Sequence, residues 1–125
     1  MKKILLIDDD RFLLQMYKKK FEETDNYKVF TIEVLDPDYI TQIAELAPDL
    51  IISDNVRPGP DGIETLRRLK KDPRTQNIPF IFLSNSITGE LIRESKRLGV
   101  AGVISKGDTI PQEVVDEVTK ILANL

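Results

Sequence analysis

The chain has 125 residues, and its 18 lysines and arginines against 21 aspartates and glutamates give a formal net charge of −3. Hydrophobic residues make up 41% of the sequence, which suits one folded domain with one core and argues against disorder. Cysteine and histidine are both absent, which excludes disulfides, thiol catalysis, a phosphohistidine and any serine–histidine–aspartate hydrolase.

Short apolar runs alternate along the chain with longer amphipathic stretches. The apolar runs predict five strands, at Ile4–Ile7, Val29–Val34, Leu50–Ile52, Phe80–Leu83 and Val100–Ile104. Apolar residues at helical spacing predict a helix after each strand, with stripes over Leu13–Phe21, Ile40–Ala47, Ile63–Leu69, Leu91–Leu98 and Val114–Leu125. Right-handed crossovers between parallel strands then require a three-layer α/β sandwich of five βα units. The pattern alone leaves the strand order open.

Residues that begin or end helices agree with this division. Asp10 is predicted to cap the first helix, and Pro48 to close the second. Asp61 with Glu64 three residues later predicts a capping box at the start of the third helix, and Gly99 predicts the end of the fourth.

Polar residues follow four of the five predicted strands: Asp8 and Asp9 the first, Asp54 the third, Ser84 the fourth and Lys106 the fifth. The carboxyl ends of parallel strands share one edge, so these side chains are expected to lie close together there. The three acids and the lysine sum to −2, so one carboxyl pKa rises or a cation enters. Oxygen ligands with remaining waters suit Mg²⁺. Asp54 is the candidate nucleophile for phosphoryl transfer, with Mg²⁺, Lys106 and the Ser84 hydroxyl available to the phosphoryl oxygens.

Taken together, these segments resemble the receiver domain of bacterial response regulators. The resemblance rests on Ile4–Asp10, Pro48–Asp54, Pro58–Gly62, Ile78–Ser84 and Lys106, in the family's order and over essentially the whole chain. It implies a flavodoxin-like parallel sheet of order 2-1-3-4-5. It also implies that residues 1–125 form a single receiver domain, and no output domain is expected because the chain ends in or just after the fifth helix.

The resemblance further implies a Mg²⁺ site beside a phosphoacceptor. Asp54 would accept the phosphoryl group, and Asp9 and Asp54 would bind the ion directly. Asp8 would bind it through water, and the backbone carbonyl of Val56 would be a further ligand. The protein would promote only its own phosphorylation and dephosphorylation, and so would be no enzyme in the usual sense.

The same resemblance implies the partners. The phosphodonor would be a histidine on a sensor kinase or phosphotransfer protein, and Lys106 would pair with the transferred group. Ser84 would move toward it and reposition the face formed by the fourth helix, fifth strand and fifth helix, where a downstream protein would dock.

Three positions depart from the family pattern. Lys106 is followed by Gly107 instead of proline, so the customary cis peptide is not predicted; Val103 replaces the switch aromatic, and Asn85 replaces a small residue. Val103 and Gly107 motivate one alternative, a receiver-shaped scaffold that no longer switches.

A second alternative is a phosphohydrolase similar to the haloacid dehalogenases. Asp8 and Asp10 would then be nucleophile and acid, and Ser84 and Lys106 its second and third motifs. This reading leaves Asp54 without a role.

The compartment is predicted from what the chain lacks. The apolar run at the N-terminus stops at Asp8 after four residues, and no stretch approaches the ~18 apolar residues of a membrane span. We therefore expect a cytoplasmic protein that does not contact a membrane. The mildly acidic charge also argues against nucleic acid as a partner.

Overall fold

Strands and helices alternate along residues 1–125, all of which the computed structural model describes. All ten predicted elements are present and in the predicted order, with bounds β1 (Lys2–Ile7), α1 (Arg11–Glu22), β2 (Tyr27–Ile32), α2 (Tyr39–Leu46), β3 (Leu50–Ser53), α3 (Gly62–Lys71), β4 (Phe80–Ser84), α4 (Gly89–Arg97), β5 (Gly102–Ser105) and α5 (Pro111–Ala123). Most strand ends differ from the prediction by one or two residues, and at two of them the predicted strand is too long. β2 stops at Ile32, which leaves Val34 exposed outside the sheet, and β5 begins only at Gly102.

The five strands form one parallel sheet in the order β2-β1-β3-β4-β5. This order confirms the flavodoxin-like topology. The winding direction reverses between β1 and β3, so the loops that leave these two strands diverge to opposite faces and open a crevice at the carboxyl edge.

The core lies on both faces of the sheet. Along β1, Ile4 and Leu6 pack into a cluster with α1 and α5, whereas Leu5 and Ile7 pack into a second cluster with α2, α3 and α4. Successive strand residues point to opposite faces, so a strand covered on both sides needs apolar residues at every position. This burial explains why the runs are continuous rather than alternating. No helix has both the length and the apolar character needed to cross a bilayer.

Helix ends follow the sequence signals closely. The Asp10 carboxylate accepts hydrogen bonds from two backbone amides in the first turn of α1, and Gly99 adopts a left-handed conformation after α4 (φ 78°). Asp61 caps α3 by accepting from the Glu64 amide at 2.8 Å. Only this half of the predicted capping box forms, because the Glu64 carboxylate instead pairs with two arginines further along the helix.

Gly62 allows the first turn of α3 to approach the end of β3. A Cβ atom at this position would lie 2.4 Å from the Asp54 carbonyl oxygen and 2.5 Å from the Phe82 ring. No heavier residue fits without displacing the backbone of Asp54. The glycine therefore determines how closely α3 packs against the edge where the polar residues gather.

Gly62→Ala is accordingly expected to lower the free energy of unfolding by about 1–3 kcal/mol, because the added methyl group overpacks this contact. Gly89→Ala is the matched control, since its Cβ would meet only the flexible end of Arg93. That control is expected to leave stability unchanged or to raise it by up to about 1 kcal/mol. Urea denaturation of both variants measures the difference, and equal stabilities would contradict the close approach.

Candidate functional site

The predicted site residues come together at the carboxyl edge of the sheet. Asp8 directly follows β1 and Asp54 directly follows β3, and both are buried, whereas Asp9 is exposed. One carboxylate oxygen from each of these three residues lies within 4.8 Å of the others. The crossovers of a parallel sheet have thus brought residues from distant parts of the chain into one acidic cluster.

Lys106 supplies the first positive charge to this cluster. Its Nζ lies 2.5 Å from Oδ2 of Asp8, and both side chains are only 11% exposed. The other oxygen of Asp8 accepts a hydrogen bond from the Asp10 amide at 2.9 Å. Both oxygens of Asp8 are therefore engaged within the chain, as a buried carboxylate requires.

Arg57 supplies a second positive charge, which was not among the residues predicted from the sequence. Its guanidinium Nη1 lies 2.6 Å from Oδ1 of Asp54, and its side chain is only 2% exposed. Nη1 also donates to the Ser53 hydroxyl and to the Asp54 carbonyl, and Nη2 donates to the Thr65 hydroxyl at 2.7 Å. The only sign of this contact in the sequence is a basic residue three positions after Asp54. Arginine is rarely buried without a partner, and Asp54 is a nearby carboxylate that could serve as one.

Burial governs the ionisation of Asp54. The pKa of its carboxyl is raised to about 6. Loss of solvent is the largest cause and the neighbouring Asp8 adds to it, whereas the hydrogen bond from Arg57 and the charges of Arg57 and Lys106 oppose the rise. The three acids and two bases of the cluster sum to −1. The site is thus less acidic than the sequence prediction of −2.

The donor atoms fit a small hard cation. All three acidic side chains offer oxygen, and Mg²⁺ prefers oxygen ligands at ~2.1 Å while keeping several waters. The oxygens lie within 4.8 Å of one another, close enough for the three side chains to share one hydrated ion. The backbone carbonyl of Val56 accepts no hydrogen bond within the chain, and Val56 is 68% exposed.

Ser84 ends β4 and is buried at the same edge. Its hydroxyl accepts a hydrogen bond from the Ser86 amide at 3.1 Å, and its carbonyl accepts one from the Lys106 amide. Of the three departures from the family pattern, Val103 is half-buried against the cluster that includes α4, and Asn85 is exposed near Gly107. All peptide bonds are trans, including the one between Lys106 and Gly107.

Comparison with known proteins agrees with this geometry. The family model described as "Response regulator receiver domain" matches residues 4–118. The phosphate regulon transcriptional regulatory protein PhoB of Pseudomonas aeruginosa is 31% identical over 121 residues, which cover 97% of this chain and 52% of that protein. The chain spans about half the length, or less, of the first curated relatives that it matches.

Two solved structures have the same fold. The chemotaxis protein CheY4 of Vibrio cholerae superposes with a TM-score of 0.84 at 23% identity, covering 97% of this chain and 98% of that one. The phosphorylated cyanobacterial phytochrome response regulator RcpA superposes with a TM-score of 0.79 at 28% identity, covering 98% of this chain and 94% of that one. Both span nearly the whole of residues 1–125.

The raised pKa of Asp54 predicts a pH-dependent affinity for Mg²⁺. Because a cation binds the ionised carboxylate, affinity should be nearly constant from pH 8 to pH 7 and fall about tenfold per pH unit below the pKa of about 6. Isothermal titration with Mg²⁺ between pH 5 and pH 8 measures this dependence. Asp54→Asn should lack the change near pH 6, and a wild-type curve that is flat through pH 6 would contradict the prediction.

Proposed function

The chain belongs to the receiver-domain family of response regulators, and from this premise we propose that it is a Mg²⁺-dependent phosphorylation switch with Asp54 as its phosphoacceptor. The observation that carries the proposal is the convergence of Asp8, Asp9 and Asp54 to within 4.8 Å at the carboxyl edge of the sheet. Receiver domains are signalling modules rather than conventional enzymes, and Asp54 is one of the two buried acids of this cluster, at the end of the central strand β3.

The reaction is transfer of one phosphoryl group onto Asp54. An ionised carboxylate oxygen attacks the phosphorus of a phosphohistidine, the P–N bond breaks as the P–O bond forms, and the leaving imidazole keeps the electron pair and takes a proton from solvent. No general base is needed because the attacking oxygen carries no proton. Such transfers depend mainly on positioning and on neutralising the phosphoryl oxygens.

The chain's own residues would supply most of that positioning. Asp9 and Asp54 would hold Mg²⁺ directly, with Asp8 acting through water and Val56 through its carbonyl, and the ion would add positive charge beside the phosphoryl oxygens. Lys106 is already at this edge, and it would exchange its contact with Asp8 for one with the phosphoryl group.

The Ser84 hydroxyl would contact the same group by giving up its contact with the Ser86 amide, which links the site to the end of β4. The partner surfaces follow from this placement. The donor would be a histidine of a kinase or phosphotransfer protein, and the face of α4, β5 and α5 would contact a downstream protein. Residues 1–125 would act together as one receiver unit.

The phosphohydrolase alternative accounts less well for the contacts. It needs the Asp10 carboxylate as a general acid, but that group caps α1 by accepting hydrogen bonds from the amides of Phe12 and Leu13. It also leaves unexplained why Asp54 is buried next to two basic side chains. The receiver function gives each of these residues a role.

Incubation with acetyl phosphate and Mg²⁺ should therefore add one phosphoryl group to the wild-type chain, detected by intact-mass spectrometry. Asp54→Asn should abolish the addition because it removes the nucleophile, and a chelator should suppress it in the wild type. Asp116→Asn, at an exposed position on α5, is the control and should be phosphorylated like the wild type. A wild-type mass that stays unchanged under saturating donor would refute the proposal.

A further inference from the structure

Arg57 is a buried basic residue that has no role in the function proposed above. The guanidinium is enclosed by the end of β3, the β3–α3 loop and the first turn of α3, where it contacts Ser53, Asp54 and Thr65. The Thr65 hydroxyl in turn donates to the Asp61 carbonyl at 2.8 Å. Arg57 therefore joins the candidate phosphoacceptor to the helix that follows it.

The contact also restricts which oxygen of Asp54 is free. Nη1 holds Oδ1 at 2.6 Å, which leaves Oδ2 without a protein donor. On the proposed function, on which this inference rests, Asp54 needs one oxygen for the metal and the other for the phosphoryl group. Oδ1 has two lone pairs and can hold a metal as well as the guanidinium hydrogen bond, but the positive charge of Arg57 then lies beside the ion and opposes its binding.

We propose that Arg57 is a positioning residue for Asp54 and a resident counter-ion that competes with the divalent cation for its carboxylate. In the metal-free chain the guanidinium partly neutralises the acidic cluster and holds Asp54 in place. Binding of Mg²⁺ brings two positive charges to the same carboxylate, so Arg57 is repelled and gives up Oδ1. The coupling is reciprocal. Arg57 weakens the binding free energy of the metal by the same amount by which the metal weakens the contact between Arg57 and Asp54.

Release of Arg57 has a structural consequence at α3. The guanidinium is buried, and a buried positive charge without a negatively charged partner is energetically costly. It must either follow the negative charge of an attached phosphoryl group or move out of its present position between β3 and α3. Either movement changes its hydrogen bond to Thr65, so the occupancy of the site is transmitted to the β3–α3 loop and the first turn of α3.

The first test is the affinity of the unphosphorylated 125-residue chain for Mg²⁺ alone, measured by NMR titration. Arg57→Met removes the charge while keeping an unbranched side chain, and it should bind Mg²⁺ at least about fivefold more tightly than the wild type. Arg57→Lys retains the charge and should stay within about threefold of the wild type. An affinity of Arg57→Met equal to or weaker than that of the wild type would overturn the proposal.

Arg97→Met is the matched control for net charge. Arg97 lies in the last turn of α4, away from the carboxyl edge, and its side chain is 78% exposed. Its loss changes the net charge of the chain as much as Arg57→Met does. The Mg²⁺ affinity should nevertheless stay within about twofold of the wild-type value, because solvent and salt screen the distant charge. An equal gain in affinity in both variants would mean that only net charge matters and would overturn a specific role for Arg57.

The wild-type chain supplies a readout that does not depend on whether Arg57→Met folds. The side-chain nitrogen signals of Arg57, assigned by their loss in Arg57→Lys, and the amide signal of Thr65 should both shift on saturation with Mg²⁺. Signals that stay unmoved at saturating Mg²⁺ would overturn the proposal. Failure of the parent function is distinguishable, since it shows as absence of any phosphoryl mass in wild type and Arg57→Met alike.

Discussion

Repulsion among three carboxylates is the constraint on which the carboxyl edge of this protein depends. Asp8, Asp9 and Asp54 have oxygens within 4.8 Å of one another, and two of the three residues are buried. Ionised carboxylates cannot be held this close in a partly dry crevice without compensating positive charge. In this structure Lys106 pairs with Asp8 and Arg57 pairs with Asp54, while Asp9 is in contact with solvent. On the proposed function, a cation that enters the site therefore competes with these ion pairs for the carboxylates and meets a residual charge of −1.

The sheet and most of the acidic cluster could be predicted from the sequence because their signals are local. Continuous apolar runs such as Leu50–Ile52 reflect burial on both faces, and the residue that ends each strand is fixed in place by the topology of a parallel sheet. Strand ends were less predictable. Val34 continues the apolar pattern of β2 but lies past the last residue that pairs with β1, so hydrophobicity alone overestimates the strand. The strand order came from family resemblance, since periodicity contains no information on which strands are neighbours.

Arg57 could not be predicted because its burial is a tertiary effect. A basic residue in a loop rich in proline and glycine has the composition of exposed surface, and arginine is seldom buried unless it is paired. Its partners Ser53 and Thr65 lie on β3 and α3, and Gly62 lets those two elements approach closely enough to enclose the guanidinium. The same reason explains the partial failure of the predicted capping box. Glu64 has nearby arginines on its own helix, and these compete successfully for its carboxylate.

The position of Arg57 bears on how a receiver without a switch aromatic could transmit its state. Val103 has no ring to reorient, so movement of Ser84 alone would displace only a half-buried aliphatic side chain on β5. The network from Asp54 through Arg57 to Thr65 instead runs to α3 on the other side of Asp54, through contacts of 2.6 to 2.7 Å. A buried guanidinium has few alternative partners, so a change of charge on Asp54 favours two discrete arrangements over a gradual adjustment. In this chain, therefore, the residue that compensates the charge of the proposed phosphoacceptor at rest is also the residue best placed to respond when that compensation is no longer needed.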